Sequence, residues 1–396
     1  VSGGLSELRA RAKALAEAYA APPASAGEEL RARAALGALA DSGLLAYTVA
    51  RARGGADASS LVPDGPAARG EGPSVLALSA LRDELAYGDG LLDLMFVMQG
   101  LGSFPLQMGG RGAFADGVCA DVIAGKQIAA YALTEPNAGS SLDEIATRAV
   151  RDGDGWRLDG TKVFISNAGI ADFYCVLART SGEPGDRAPG GLTMFFVPAS
   201  ANGVVCEPFE VIAPHPIGEV RFEGVELSDD VRLGEVGSGL ELALATLACF
   251  RTTVGAAANG FARRALDESV RHLSERHQFG RPLGANQGLR FDLAEMDARL
   301  RAAQLLVEEA ARLTDAGDAR ADRAVARAKL VATETAGFVC DRAVQHHGGR
   351  GVKRGEIVEE LYREVRALRI YEGASEVQKL ILGKLVLGQG AQPPLD

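Results

Sequence analysis

The chain has 396 residues, 47% of them hydrophobic and 24% charged, and a formal net charge of -10; it is long enough for two or three domains with substantial cores, and its composition excludes a disordered or fibrous protein. The acidic balance argues against nucleic acid as a partner, since phosphate binding draws on accumulated Lys and Arg, which here are scattered among acids. No apolar stretch approaches the roughly 18 uninterrupted residues of a membrane span, and charged residues occupy the place of a signal peptide's apolar core, so no membrane partner and a cytoplasmic location are expected.

Residues 1–127 read as an α-helical domain, with helix formers in blocks such as SELRARAKALAEAYA and EELRARAALGALADSG. The Pro/Gly-rich LVPDGPAARGEGPS interrupts them and is expected to be a loop throughout. Over 128–236 the pattern changes to short β-type runs separated by turn signals. In ATRAVRDGDGWRLDGTKVFIS, two strand-like segments are joined by Asp152, Gly153, Asp154 and Gly155, the acid–glycine chemistry of a hairpin turn. DFYCVLART, LTMFFVPA, GVVCEPFEV and EVRFEGVEL continue the series, and strands without intervening helices predict an antiparallel sandwich or barrel. From 237 to 396 the helical pattern returns: Leu289, Leu293, Met296, Leu300, Ala303 and Val307 step by four and three, the stripe of a helical bundle. The terminal GQGAQPPLD reads as a frayed tail. The fold class predicted is therefore α+β, with a helical, a β and a second helical domain.

The five cysteines, Cys119, Cys175, Cys206, Cys249 and Cys340, are widely spaced and never form a CxxC pair, which reads as buried thiols rather than a disulfide framework or zinc site. His346 and His347 are adjacent, so on a helix they point about 100° apart and could not share a metal; no metal site is expected. Neither a complete GxGxxG nor a Walker A pattern occurs, so a nucleotide-type cofactor would have to be held in another way.

Two separated segments carry the most information: YALTEPNAGSS at 131–141 and RIYEGASEVQKL at 369–380. With GWRLDGTKVFISNAG, RHQFGRPL and AVQHHGGRGV between them, the chain resembles the acyl-CoA dehydrogenase family, over roughly its whole length from Leu36 onward. The resemblance implies an N-terminal α-helical domain, a central antiparallel β-domain and a C-terminal four-helix-bundle domain. It also implies FAD as cofactor, α,β-dehydrogenation of an acyl-CoA in fatty acid metabolism, an electron-transfer flavoprotein as acceptor, and a homotetramer.

Oxidising a thioester between Cα and Cβ needs a base on one face of the substrate and an electron acceptor on the other. A carboxylate can take the α-proton only if desolvation raises its pKa and the thioester oxygen is stabilised as it gains charge. Glu372 matches the family's catalytic base, in a turn shaped by Tyr371 and Gly373; read locally, it is also an acid favourably placed before a helix N-terminus. Some relatives carry the base on an earlier helix, just before an arginine; here Phe250 stands there, before Arg251, and offers no competing carboxylate. By resemblance Tyr131, Leu133 and Thr134 lie along the flavin ring, and Gly139 and Ser140 approach cofactor and thioester. Phe164 and Ser166 cover the other side of the ring, Ser166 within reach of its N5.

For the diphosphate and adenine ends the resemblance implies Arg276, Gln278, Phe279, Gln287, Gln345, Gly348 and Gly349, reaching a neighbouring subunit's flavin, with Glu376 on the adenosine side. Ala374 stands where many relatives have a cofactor-bonding threonine, which removes one contact. Leu94, Val97 and Met98 occupy positions of the pocket floor and point to a shallower or differently shaped acyl site; equally, they read as core residues of an apolar helix. An acyl chain on a carrier protein, an oxidase passing electrons to oxygen, and a non-catalytic flavin-binding paralogue are the alternatives. Nitroalkane-oxidising and monooxygenase branches of the fold match less well at the Tyr-Glu-Gly turn.

Overall fold

A computed structural model describes residues 2–62, 64–186 and 190–388; the expected frayed tail lies, from Gln389 on, outside them. Six helices come first: α1 Ser2–Ala18, α2 Glu28–Asp41, α3 Pro66–Arg69, α4 Val75–Gly88, α5 Gly90–Gly109 and α6 Gly112–Ile123. Helix α3 corrects the expectation of an unbroken loop over LVPDGPAARGEGPS. Pro66 stands at the first helical position, where its missing N–H costs nothing, and the turn stops at Gly70 in the left-handed region. The successive residues Val75–Ala86 of α4 are all buried, so this helix is a core element rather than an amphipathic surface one.

Eight strands follow: β1 Ala129–Ala132, β2 Arg148–Asp152, β3 Gly155–Ser166, β4 Phe173–Arg179, β5 Leu192–Pro198, β6 Val204–Pro208, β7 Ile217–Ser228 and β8 Arg232–Leu233. The hairpin expected at 152–155 forms, with Asp152 opposite Gly155. Strand β4 pairs with β1 along Ala129–Ala132 but with β2 only where Arg148 meets Arg179. The sheet therefore divides into a β1-β4-β5-β8 half and a β2-β3-β7-β6 half. Side chains of both halves, including Trp156, Leu158, Tyr174, Phe195 and Phe222, fill one core between them. Most pairings are antiparallel, as expected, but β1 runs parallel to β4. The chain passes from β1 to β4 through the β2–β3 hairpin, and a connection of that length, unlike a tight turn, can deliver parallel pairing.

The C-terminal part holds α7 Gly239–Glu275, a small hairpin of β9 His277–Gln278 and β10 Arg281–Pro282, then α8 Gln287–Ala316, α9 Ala321–His347, α10 Ile357–Leu368 and α11 Ser375–Val386. Of the predicted α8 stripe, Met296, Leu300, Ala303 and Val307 are buried, with Leu293 packed at the edge of the same cluster. Helix α7 contains a window as apolar as a membrane span, though charged residues interrupt its apolar runs. That window is 61% buried, and α7 packs against α4, α8 and α9 as the central helix of the core. All five cysteines are free thiols; Cys206 is half-buried and the others are buried.

One long-range contact ties the first helical layer to the last. Asp315, at the end of α8, accepts from Ser74 Oγ at 2.6 Å, the Val75 N–H at 2.6 Å and the Leu76 N–H at 3.0 Å. It thus satisfies donors that the α4 N-terminus would otherwise leave orphaned. Asp315→Ala is expected to cost about 2–4 kcal/mol of stability, because buried N–H groups lose a charged acceptor. A lower denaturant midpoint at unchanged m-value checks it, and an unmoved midpoint would contradict the capping role.

Candidate active site

Between α10 and α11 the chain makes a turn that few side chains tolerate. Glu372 has φ 52° and Gly373 φ 91°, two successive residues in the left-handed region. A non-glycine residue held there costs of order 1–3 kcal/mol and persists only where its surroundings over-determine it. At Gly373 the positive φ strains any other residue, and a Cβ would in addition push Gln378 Nε2, 2.5 Å away, off the Gly373 carbonyl. The surroundings are three donors. Arg251 Nε of α7 bonds the Glu372 carbonyl at 3.0 Å. Lys329 Nζ of α9 and Gln378 Nε2 of α11 bond the Gly373 carbonyl at 2.8 and 3.0 Å.

These bonds hold the backbone of the turn, not the carboxylate. Glu372 Oε2 is buried without a hydrogen-bond partner, and among the described residues nothing accepts from the Glu372 N–H. Burial raises the carboxyl's pKa, opposed by the positive charges of Arg82, Lys329 and Arg251. Arg82 of α4 is itself locked in a buried fork to Asp93, Nε–Oδ1 2.9 Å and Nη2–Oδ2 2.6 Å, with Nη1 on Thr253 Oγ1 at 3.0 Å. The same desolvation lowers Lys329 to about 8. The turn thus presents an unpaired carboxylate and a free N–H above charges that cannot reach them.

Tyr131, on β1, is buried; its hydroxyl makes no well-formed hydrogen bond, with the Thr246 side chain beside it, and lies close enough to Glu372 and Arg251 to feel both charges. Beyond it the chain turns through Glu135 and Ala138, whose N–H and C=O groups exchange two hydrogen bonds, and carries Gly139 and Ser140 to the surface. A buried ion pair supports this segment from beneath. Lys162 Nζ, on β3, bonds the Leu133 carbonyl at 3.0 Å and Glu135 Oε1 at 2.7 Å. Glu135 in turn accepts the Ala146 and Thr147 N–H groups at 2.7 and 3.0 Å. The Val163 N–H closes the set on the Thr134 carbonyl at 2.9 Å.

The register of β3 on β7 slips between Lys162 and Ile165, and in that irregularity Phe164 takes φ 56°. The irregularity turns its ring outward: Phe164 is 61% exposed and meets Phe209 edge-on at 5.3 Å. Ser166, at the strand's end, lies 2.7 Å from His215 Nε2. An orphaned phenol, a half-buried hydroxyl, an outward aromatic face and exposed backbone at Gly139 form a strip that fits a flat heteroaromatic ring with polar edges.

The other sequence-predicted cofactor residues are elsewhere. Arg276 follows the C-terminal end of α7, about 37 Å along the helix from Arg251 at 1.5 Å per residue. Arg276, Gln278, Gln287, Gln345, Gly348 and Gly349 are exposed, and Phe279, with φ 54°, is 99% exposed. They lie exposed, Arg276 and Gln278 at the end of α7 remote from Arg251. Ala374 is the N-cap of α11 without a side-chain cap bond, and Glu376 is exposed beside Lys379. Val97 and Met98 are buried, with Leu94 beside them, in the same apolar cluster as Tyr131 and Phe250. Phe250 packs edge-on against Phe104 at 5.9 Å, and its ring comes so near α5 that a Cβ on Gly100 would lie 2.8 Å from it. Two clefts of about 170 and 360 Å³ open around α1; Glu372 lines neither of them.

Sequence reading missed Arg82, Asp93, Lys162, Glu135, Lys329 and His215. A visible signal existed for four of them: charges set inside or at the edge of largely apolar runs, as in VLALSALRD, LLDLMF, TKVFIS and RAKLVA. Nothing local marks His215.

Residues 130–225 match the family model of the acyl-CoA dehydrogenase middle domain, and residues 237–387 that of the acyl-CoA dehydrogenase C-terminal domain. The chain is 33% identical over 387 residues to the probable acyl-CoA dehydrogenase FadE25 of Mycobacterium tuberculosis, covering 96% of this chain and 95% of the relative. It is 38% identical over 269 residues to the 3-(aryl)acrylate reductase of Clostridium sporogenes, covering 67% and 70%. The structure of butyryl-CoA dehydrogenase from Megasphaera elsdenii superimposes with a TM-score of 0.85 at 28% identity, covering 97% of this chain and 98% of that one.

Proposed function

This chain belongs to the acyl-CoA dehydrogenase family, and we propose that it is an FAD-dependent enzyme oxidising an acyl-CoA thioester between Cα and Cβ. The observation that carries the reading is the half-buried Glu372 carboxylate, its Oε2 fully buried and unpartnered, while its backbone is pinned by Arg251, Lys329 and Gln378. A desolvated, unpaired carboxylate is a stronger base than one in water, and its fixed turn spares the reaction the entropy of finding it. Glu372 takes the α-proton, and its own N–H donates to the thioester oxygen as negative charge collects there. Bound FAD supplies the two-electron acceptor for the β-hydrogen, which leaves with its electron pair as hydride. Tyr131, Thr134, Phe164 and Ser166 hold the ring, and Gly139 lets backbone approach it.

The diphosphate residues Arg276, Gln278 and Gln345 serve the FAD of a neighbouring subunit. In support, they sit far along α7 from Arg251 and are exposed on this protomer. A homotetramer in the cytoplasm, with an electron-transfer flavoprotein as acceptor, completes the reading. For the acyl group we propose a short, branched or cyclic chain, since Phe250, Phe104 and Met98 pack in the apolar cluster to which Tyr131 belongs.

The test is anaerobic mixing of purified holoenzyme with a panel of acyl thioesters, on CoA and on a carrier protein, while flavin absorbance is followed. Bleaching by compact acyl-CoAs, with straight long chains at least tenfold slower, is expected. Bleaching by carrier thioesters alone would assign the substrate to a carrier protein, and fast reoxidation by oxygen would make the enzyme an oxidase. A flavinated protein that no thioester bleaches would be a binding paralogue.

A further inference from the structure

The Ser166–His215 contact has no part in the reaction as derived above, yet it is among the best-fixed side-chain pairs near the proposed flavin strip. His215 lies in the segment between β6 and β7, and three elements hold that segment. The Asn167 N–H bonds the Pro216 carbonyl at 2.7 Å, next to the point where Ser166 pairs with Ile217. Glu28 Oε1, at the start of α2, accepts the His215 N–H at 3.3 Å. Arg363 Nη1, on α10, bonds the Ile212 carbonyl at 2.7 Å. The imidazole is thus placed by its surroundings and reaches Ser166 Oγ through Nε2 at 2.7 Å.

Burial holds the imidazole neutral at physiological pH, with its pKa lowered to about 4. A neutral ring has one N–H and one bare nitrogen, so a single proton lies between Nε2 and Oγ. If serine supplies it, the hydroxyl is spent on the histidine and can only accept from the flavin side. If histidine supplies it, the hydroxyl keeps its own hydrogen for the other side. A hydroxyl that accepts one hydrogen bond is also polarised into a better donor for the next.

We infer that His215 is a positioning residue: its Nε2–H donates to Ser166 Oγ and turns the serine hydrogen outward, as a donor to the flavin edge. The inference rests on the proposed placement of Ser166 beside the flavin. A donor aimed at the ring favours the reduced form, which carries more electron density, so the pair raises the flavin's two-electron potential. Losing one hydrogen bond corresponds to about a tenfold change in the reduced-to-oxidised ratio, or about 30 mV for a two-electron couple.

The experiment measures the flavin potential, visible spectrum and FAD content of wild-type holoenzyme and of His215→Leu, His215→Gln, Ser166→Ala and the His215→Leu/Ser166→Ala double variant. Ser166→Ala and His215→Leu are each expected to shift the ratio toward oxidised flavin, by about tenfold and by about three- to tenfold. His215→Gln, whose amide can still donate to Oγ, should return most of the shift, and the double variant should match Ser166→Ala alone. If Ser166→Ala moves the potential and His215→Leu does not, the positioning role is overturned while the placement of Ser166 stands. If Ser166→Ala leaves potential and spectrum unchanged, the placement itself fails and the inference with it. Additive shifts in the double variant would also overturn it, since the histidine would then act without the serine. Should the leucine variant not fold, His215→Ala is read by the same criteria.

Discussion

Glu372→Gln is expected to give a folded, flavinated protein that binds acyl thioesters yet reduces its flavin more slowly by at least about 10²- to 10⁴-fold, the usual worth of a general base. The amide keeps the side chain's shape, and the clamps on the turn hold backbone carbonyls, so geometry should survive. The parent enzyme should lose rate as pH falls through the raised pKa of Glu372, above the ordinary carboxylate range, because the base must be ionised to act. Stability runs the other way. A carboxyl whose folded pKa is raised contributes stability fully present below its unfolded value and lost as pH rises through the folded one. At neutral pH the ionised Glu372 is therefore a burden on the fold, and Glu372→Gln should be at least as stable as the parent. The two proteins should converge near pH 4. Single-turnover flavin reduction and denaturation at both pH values check the pair of expectations; a glutamine variant reducing its flavin at near the parent rate would remove the base assignment.

The same contrast explains what could be read from residue order and what could not. The Tyr-Glu-Gly turn, the hairpin at 152–155 and the α8 stripe are written in neighbouring residues, where turn chemistry and helical period act locally. The short helix at Pro66–Arg69 was hidden because proline and glycine signal both a loop and the two ends of a single helical turn. The parallel pairing of β1 was hidden because pairing direction depends on how the chain enters the sheet, and periodicity carries no such information. The partners that surround the site are more distant still. Arg82 finds Asp93 eleven positions on and Thr253 on another helix, and His215 meets Ser166 only because β3 and β7 are neighbours. Such partners are set by packing, and a residue's own neighbourhood shows at most that a charge stands where water will not.

Lys162→Met is expected to be the most destabilising of these changes, lowering the unfolding free energy by about 3–5 kcal/mol, the usual cost of breaking a buried ion pair from one side. Lys162 is fully buried, and its ammonium bonds both Glu135 and the Leu133 carbonyl. Its charge, with the N–H groups of Ala146 and Thr147, holds the Glu135 carboxyl below its ordinary pKa in spite of burial. Methionine fills similar volume but leaves Glu135 charged, dry and short of a partner. The damage should not stay local. Glu135 belongs to the segment carrying Thr134, Gly139 and Ser140, so FAD should dissociate more readily from the variant than from Asp315→Ala, which weakens a contact remote from the strip. Adding Glu135→Gln should recover part of the lost stability, because a buried neutral amide costs less than an unpaired carboxylate. The double variant should recover flavin less well than stability, since the amide cannot restore the bond to Leu133. Denaturant midpoints and FAD release rates for the single and double variants decide it: a Lys162→Met midpoint near the parent's would mean that the pair neutralises itself without holding the segment.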